Sequence, residues 1–238
     1  MRIKINFTKN TESIIVDKNY ELAVSYFHKC IGHNNDLHGG PSNYCLSPLM
    51  GGKLINGFIN YENGGFIILS IADIPNIGEI VIKLMNGFMN NKELGYGMFF
   101  DRIEDKGTTY HDGWNNFATL SPILLSKSIG NKRRKFFTLD NEEEYIENLT
   151  ERTKKKLLKI DSNLDLRNFK IEIPKTNSSH KVKKIMIHNV SNRANQHHLN
   201  IYCNSKVAET LSNIGIGQST GCGFGTIYLL KDSKFYVK

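Results

Sequence analysis

Three histidines near the N-terminus have a clear capacity for chemistry, because an imidazole titrates near neutral pH and can accept or donate a proton. His28, His33 and His38 lie in or just after a predicted helix. His38 precedes Gly39-Gly40-Pro41, which predicts a loop from which its side chain can face a groove. For each of the three, a surface histidine without a catalytic role is the alternative interpretation.

A second segment with unusual backbone freedom lies between residues 214 and 228. Its glycines permit positive φ angles and close approach of backbone N–H groups to a ligand or to another part of the chain. These are Gly215, Gly217, Gly221, Gly223 and Gly225. No lysine stands where a Walker loop needs one, and a strand-like run follows the loop where a dinucleotide site needs a helix. The pattern therefore excludes both common nucleotide-binding loops.

The net charge of +8 belongs to the second half of the chain. Residues 1–114 contain 10 Lys and Arg against 12 Asp and Glu, whereas residues 115–238 contain 21 against 11. Basic clusters recur at 132–135, 154–156 and 181–184. A one-sided surplus favours a polyanionic partner, because each neutralised phosphate releases counterions. A solvated face remains the alternative for any single cluster.

Hydrophobic periodicity predicts the elements that position these residues. The first half gives a strand (2–8), a helix (20–31), strands at 53–59 and 65–71, a helix (77–88) and a strand (94–103). This β-α-β-β-α-β order predicts a ferredoxin-like domain over residues 1–114. The second half, 115–238, is interpreted in the same way. Its predicted elements are a strand (117–125), a helix capped near Asp140, strands at 183–190 and 198–203 joined by a polar turn, a helix (206–212) and a strand (226–230).

The composition of the chain indicates in which cellular compartment it works and whether it holds a metal or a cofactor. No apolar run is long enough to span a membrane. Four cysteines without paired spacing argue against a zinc ribbon and suit reduced thiols in a cytoplasm. His197 and His198 are adjacent on a predicted strand, so they point to opposite faces, and no further ligand type is spaced around them. We therefore predict a cytoplasmic protein with neither a metal site nor a cofactor.

The glycine segment ends in Gly-Phe-Gly and a short β-branched strand, and it resembles the C-terminal loop of the repeat-associated RNA-binding (RAMP) superfamily of CRISPR systems. More narrowly, the chain is similar to the endoribonucleases that cut CRISPR precursor RNA within each repeat. Two other motifs agree in order and distance. They are Leu37-His38 with the following Tyr44-Cys45-Leu46-Ser47-Pro48-Leu49, and Leu120-Ser121-Pro122-Ile123-Leu124-Leu125.

The resemblance implies an α+β protein of two tandem ferredoxin-like domains and a metal-independent endoribonuclease activity that leaves 2′,3′-cyclic phosphate and 5′-hydroxyl ends. His38 matches the catalytic histidine of the family, and His33 is the substitute. Tyr26 and Lys53 are candidates to assist. A buried position on the helix is the alternative for Tyr26, and an exposed strand position is the alternative for Lys53.

The resemblance also implies the partners. CRISPR repeat RNA within the precursor transcript is expected to contact the glycine loop and a basic hairpin, through Lys181, Lys183, Lys184 and Arg193. Subunits of a CRISPR effector complex and a second copy in a homodimer are further expected partners. Two alternatives remain open: a non-catalytic subunit that holds guide RNA, and a ligand-binding regulatory domain of ferredoxin-like type.

Overall fold

The first half of the chain folds as one five-stranded antiparallel sheet with two helices on one face. The computed structural model describes residues 1–16, 18–32, 37, 42–130, 133–175, 180–187 and 189–235. In chain order, the elements of this half are β1 (Arg2–Phe7), β2 (Ile14–Ile15), α1 (Lys18–Ile31), β3 (Tyr44–Leu46), β4 (Lys53–Ile55), β5 (Phe58–Asn60), β6 (Gly65–Ile71), α2 (Ile77–Asn90), β7 (Glu93–Gly95) and β8 (Met98–Asp105).

The second half repeats the plan with a four-stranded sheet. Its elements are β9 (Gly113–Thr119), β10 (Ile123–Leu124), β11 (Ser126–Ser128), β12 (Arg134–Phe136), α3 (Glu142–Ile160), β13 (Lys170–Glu172), β14 (Lys181–Ile187), β15 (Val190–Gln196), β16 (His198–Cys203), α4 (Ser205–Ile214) and β17 (Ile227–Leu229). Short 3-10 helices occupy Leu139–Asn141, Thr220–Cys222 and Leu230–Phe235.

Strand order identifies both units as ferredoxin-like. The N-terminal sheet runs β3-β6-β1-β8-β7, and the C-terminal sheet runs β13-β16-β9-β17. Counted within its own β-α-β-β-α-β unit, each sheet has its four principal strands in the order 2-3-1-4, with antiparallel neighbours. The predicted fold class is therefore confirmed. The division at 114/115 stays a prediction; β8 ends at Asp105 and β9 begins at Gly113.

The prediction for the second strand of the N-terminal unit was wrong. That strand is β3, the three residues Tyr44–Leu46, and not the run at 53–59. The run at 53–59 instead forms the β4-β5 hairpin, which pairs with β2 in a separate three-stranded sheet. Asn56 and Gly57 both have positive φ, which matches the two-residue turn that an Asn-Gly pair favours. The turn interrupts what appeared to be one continuous strand.

The predicted pairing of 183–190 with 198–203 was also wrong. The polar segment interpreted as a turn is strand β15, which pairs with β14 along its full length. Asn192 and Asn195 are buried there, and their side-chain amides donate to the carbonyls of Val190 at 3.1 Å and Phe137 at 3.0 Å. Buried asparagines that are satisfied by backbone groups give a strand without the apolar alternation on which the prediction depended.

Each sheet uses one face for its own core and leaves the other for the partner domain. In β6 the side chains of Ile67, Leu69 and Ile71 join the core under α1 and α2. Phe66 and Ile68 alternate with them and instead meet residues of the C-terminal sheet. Because alternate residues of a strand face opposite sides, the two sheets can pack on their helices and on one another at once.

All four cysteines are free thiols. Within the described residues, no helix combines the length and the apolar character that a bilayer crossing requires.

Candidate functional site

A cleft of about 660 Å³ lies where the two sheets face each other. On the N-terminal side it is lined by outward residues of β1 and β6, among them Lys4 and Phe66. On the C-terminal side it is lined by one row across the sheet, in which His198, Ala118 and Tyr228 are cross-strand neighbours. The wall is therefore built from polar and aromatic side chains at alternate strand positions.

Positive charge dominates this cleft. The cationic side chains that line it are Lys4, Lys53, Arg102, Lys181 and Lys183, and among the described lining residues Asp101 is the one carboxylate. Asp101 is engaged by Arg102, which also lies 3.1 Å from a carboxylate oxygen of Glu104. The Lys4 Nζ lies 4.2 Å from the centroid of the Phe66 ring, which fixes its position by a cation–π contact. Such a surplus attracts a polyanion into the cleft.

Burial and a neighbouring positive charge also change the pKa of one lysine of β14. Partial burial, reinforced by the nearby Lys181, lowers the pKa of Lys183 below its ordinary value. An anion bound beside these two amines would relieve their mutual repulsion. Lys181 and Lys183 occupy alternate positions of β14 and share the face that borders the cleft.

A buried histidine supports one wall of the cleft. The Nδ1 of His197 lies 2.8 Å from the carbonyl oxygen of His198 and donates to it, so its Nε2 accepts from the Tyr145 hydroxyl at 2.8 Å. Burial lowers the pKa of His197 to about 4, and the neighbouring His180 and His198 act in the same direction. His197 is therefore a neutral structural group at physiological pH. Burial and His180 also lower the pKa of His198.

The glycine segment lies between the two domains. A Cβ on Gly223 would stand 2.8 Å from the Tyr20 ring of α1, and one on Gly225 would stand 1.8 Å from the carbonyl oxygen of Ile216. Both glycines have positive φ. The Thr220 hydroxyl donates to the carbonyl of Tyr44 in β3 at 3.1 Å. These glycines therefore permit a close approach between parts of the protein itself, which is one of the two predicted roles. Contact of the glycine segment with RNA stays a prediction.

Two cations, the half-buried Lys156 and the buried Arg2, contact this junction. The Lys156 Nζ donates to the carbonyl of Ile214 at 2.7 Å and to the Thr220 hydroxyl at 2.9 Å. Its pKa falls to about 8 because the amine is buried. From the other domain, the Arg2 guanidinium donates to the Ser212 hydroxyl at 2.6 Å and to the Ile227 carbonyl at 2.6 Å. The bonds of Arg2 therefore join the two domains, whereas those of Lys156 hold the glycine segment against α3 of its own domain.

The three sequence motifs converge at the same junction. In the first, the Ser47 hydroxyl accepts from the Ile68 N–H at 2.8 Å. In the second, the Ser121 hydroxyl accepts at 3.0 Å from the N–H of Thr226, which directly follows the last glycine of the segment. Each Ser-Pro pair therefore anchors a neighbouring strand of its own domain.

The predicted catalytic residues do not all lie at the cleft. His38 and His33 lie outside the described residues. Tyr26 is 3% exposed, and its ring packs in the core with Phe7 at 5.1 Å and Phe88 at 6.0 Å between centroids. Burial raises the pKa of the Tyr26 hydroxyl far above its ordinary value. Lys53 is exposed on β4 and lines the cleft. The structure thus places Lys53 in the cleft and Tyr26 in the core.

The predicted RNA-binding residues separate by strand face. Lys181 and Lys183 line the cleft, whereas Lys184 alternates with them and pairs across the ladder with Arg193. Arg193 lies 3.1 Å from a carboxylate oxygen of Asp140. Two of these four cations therefore border the cleft, and two lie on the opposite side of the hairpin. Binding of RNA by any of them stays a prediction.

Sequence reasoning missed Lys4 and Arg102 as lining residues of the cleft. The signal for Lys4 was present, because polar and apolar residues alternate in β1 and the polar positions had to face away from the helices. Arg102 had no comparable signal. Among the described residues, no three His, Cys, Asp or Glu side chains gather as a metal site would require. The expected absence of a metal stays a prediction.

Comparisons with known proteins agree with this architecture. Residues 105–229 match the family model described as CRISPR associated protein Cas6, C-terminal, which covers more than half of the chain. A sequence comparison with curated proteins found no significant match. A structure titled "Characterization of a Cas6-related gene from Pyrococcus furiosus" superposes with a TM-score of 0.80 at 19% identity, covering 98% of this chain and 99% of that one.

Two further structures share the fold. One, titled "An RAMP protein binding different RNA substrates", gives a TM-score of 0.78 at 19% identity over 97% of this chain and 99% of that one. Another, titled "CRISPR associated protein Cas6", gives 0.73 at 20% identity over the same shares. Tandem ferredoxin-like domains are thus a fold that this chain shares with these proteins. With the family match, the chain belongs to the Cas6 family of CRISPR-associated proteins.

Proposed function

We propose that this protein binds CRISPR repeat RNA in its basic cleft and cleaves the precursor transcript once within each repeat. The observation that supports this most is the cleft itself, where five cationic side chains meet one carboxylate among the described lining residues. A cleft between two open sheet faces suits a flexible single strand, whose phosphates meet lysines and whose bases meet the sheet.

The proposed chemistry needs no metal. The 2′-oxygen next to the scissile phosphate attacks phosphorus, its proton passes to a base, and the bond to the 5′-oxygen breaks as an acid protonates that leaving oxygen. The products are a 2′,3′-cyclic phosphate and a 5′-hydroxyl. We assign His38 to proton transfer, with His33 as the substitute. Lys53, exposed at the cleft, would stabilise the charge on the pentacoordinate phosphorus.

A second candidate function is a non-catalytic subunit that holds guide RNA. The burial of Tyr26 favours it, because this hydroxyl cannot reach RNA without a rearrangement of the core. Of the predicted catalytic residues that the structure describes, Lys53 is then the one that lines the cleft. The two functions predict the same RNA binding and differ only in whether the RNA is cut.

Cleavage is tested with a repeat RNA from the CRISPR array of the same genome, incubated with the protein in EDTA. We expect a single cut with a cyclic phosphate end, lost in His38→Ala and much slower in Lys53→Ala. His111→Ala and Lys92→Ala change exposed residues outside the cleft and should cut like the unmodified protein. Tyr26→Phe should also retain activity, since Tyr26 is in the core.

Each outcome separates the candidates. Cleavage that survives in His38→Ala but not in His33→Ala would transfer the role to His33. Tight binding without a cut by the unmodified protein would support the guide-holding subunit and refute the enzyme. Absence of binding would refute both.

Binding is tested through its salt dependence. Lys181→Ala with Lys183→Ala should reduce the slope of log affinity against log salt by about one for each lysine that meets a phosphate. The matched control replaces Lys155 and Lys159, which are exposed on α3 and do not line the cleft. Equal slopes in both double variants would place the RNA elsewhere.

A further inference from the structure

The outer end of the C-terminal sheet carries two exposed aromatic rings that the proposed cleavage does not use. Trp114 on β9 is 42% exposed, and Tyr202 on β16 is 37% exposed. They are direct cross-strand neighbours, and their ring centroids lie 5.4 Å apart with planes at 75°. We propose that this pair is a base-stacking subsite for unpaired nucleotides of an RNA strand that continues out of the cleft. This inference depends on the proposed RNA binding and adds the position of a further part of the RNA.

Strand alternation explains why these rings are exposed. Phe117, Leu199 and Ile201 occupy the other face of β9 and β16 and are buried in the core with α3 and α4. Trp114 and Tyr202 lie at positions of opposite parity, so they point away from the helices. Two aromatic side chains on the central strands of an open four-stranded sheet are the arrangement with which sheet-based RNA-binding modules stack two or three bases.

The subsite is continuous with the cleft. His198 and Ala118 line the cleft and lie on the same sheet face as the aromatic pair, four residues along each strand. At about 3.3 Å per residue, the pair lies about 13 Å from that row. Asn116 and Asn200 face each other between the two rows and offer amide donors and acceptors along the way. A strand lying across the cleft therefore has an unbroken polar and aromatic track to follow.

The surroundings of the pair favour a base over a phosphate. A small cavity of about 170 Å³ opens beside Tyr202, lined also by the carboxylates of Asp112 and Asp165. Asp165 is paired with Arg167 at 2.7 Å, and one carboxylate oxygen of Asp112 accepts from the Ser205 N–H at 2.7 Å. Of the two, Asp112 is the carboxylate without a paired cation among the described residues; it disfavours a phosphate and can accept a hydrogen bond from the exocyclic amino group of a base. Lys170 is the cross-strand neighbour of Tyr202 on its other side and is exposed. It is positioned to meet the backbone of a nucleotide whose base stacks on the rings.

The subsite can be observed directly, because Trp114 is the single tryptophan of the chain. We would titrate the protein with an unstructured twelve-nucleotide RNA and, separately, with a blunt-ended RNA hairpin closed by a short tetraloop, following tryptophan emission and the anisotropy of a dye on the RNA. Stacking predicts saturable quenching by the unpaired strand, with the same midpoint as the anisotropy. The blunt hairpin should quench little, because its bases already stack on one another.

Substitutions of the two aromatic residues test the subsite through their effect on RNA affinity. Trp114→Ala and Tyr202→Ala should each weaken binding of the unpaired strand roughly 5- to 100-fold, as loss of one base–aromatic stack does. Tyr202→Phe retains the ring and should bind like the unmodified protein. Phe58→Ala removes an exposed aromatic residue outside this sheet and is the matched control.

The outcomes distinguish this inference from the function on which it rests. RNA binding with unchanged Trp114 emission, and with unaltered affinity in both alanine variants, would refute the subsite and leave the cleft proposal intact. No binding of either RNA would refute the cleft proposal itself. Emission that changes with protein concentration in the absence of RNA would identify this face as a contact between copies, which also overturns the subsite.

Discussion

Acidification should destabilise this protein through one buried imidazole. His197 is 1% exposed and accepts a hydrogen bond from Tyr145, so the folded state holds it neutral. In the unfolded chain the same imidazole takes up a proton at its ordinary pKa of 6.5, whereas in the folded protein burial lowers that pKa to about 4. His180 and His198 face the same ring, and a proton on either would oppose a second charge there.

The direction and the size of the stability change follow from the difference between the pKa values of His197 in the folded and unfolded states. Between pH 6.5 and 4 the unfolded state binds more protons at this residue, so stability is present above pH 6.5 and is lost as the pH falls towards 4. The full difference corresponds to about 3 kcal/mol, of which about 2 kcal/mol is lost between pH 7.5 and 4.5. Such a loss is a large share of the 5–15 kcal/mol typical of a folded protein.

Urea unfolding at pH 7.5 and at pH 4.5 measures this loss. His197→Gln removes the titrating group, so its stability should fall by about 2 kcal/mol less between the two pH values than that of the unmodified protein. The variant should be less stable at pH 7.5, because Gln fills the site less well and the Tyr145 hydroxyl loses its acceptor. His111→Gln changes an exposed histidine and should follow the unmodified protein at both pH values.

The result that would refute this reasoning is specific. If His197→Gln loses as much stability on acidification as the unmodified protein, then His197 is not the group that couples protons to folding. The sensitivity would then come from the carboxylates of surface ion pairs, which both proteins share.

Three further predictions concern the packing. Gly225→Ala should lower the free energy of unfolding by about 2–4 kcal/mol, because its Cβ meets a backbone carbonyl, whereas Gly57→Ala, with positive φ but open space, should cost about 1 kcal/mol; equal losses in urea unfolding would contradict the contact. Lys156→Met removes an amine that donates to the glycine segment and should cost about 1–3 kcal/mol. Lys159→Met, exposed on the same helix, should stay within about 0.5 kcal/mol, and a matching loss would argue against a specific role for Lys156. Leu149→Ala empties a fully buried position and should cost about 2–5 kcal/mol, so a loss under about 1 kcal/mol would show that the core collapses around the cavity.

The sequence predicts the helices of the N-terminal domain well, because their periodicity is strong. The predicted helix at 77–88 lies within α2, Ile77–Asn90, whose buried residues include Ile80, Leu84 and Phe88 at helical spacing. Strand β3 was missed because three residues cannot show a period of two. Strand β15 was missed because buried asparagines take the place of apolar side chains, and the partner of Asn195, Phe137, is distant in sequence.

The residues of the site were harder to predict from the sequence, because their positions also depend on strand alternation and on contacts between distant parts of the chain. The basic run at 181–184 predicted a polyanion surface, but only the alternation along β14 separates Lys183, at the cleft, from Lys184. The glycine segment was recognised by spacing, yet its close neighbour Tyr20 comes from α1, and no local pattern indicates such a contact. Residues that meet across the domain junction can be identified only once both sheets are in place.

The bonds of Arg2 to Ser212 and Ile227 also imply an order of assembly during synthesis. Its partners in the C-terminal domain follow it by 210 and 225 residues. At roughly 5–20 residues per second, a ribosome needs on the order of 10 to 45 seconds to deliver them. From the completion of β8 at Asp105 until the C-terminal sheet forms, the face of β6 that carries Phe66 and Ile68 lacks the residues that cover it in the folded protein. The nascent chain is therefore most vulnerable to aggregation after its first domain has folded, and the cleft forms only once β17 has been synthesised and can pair with β9.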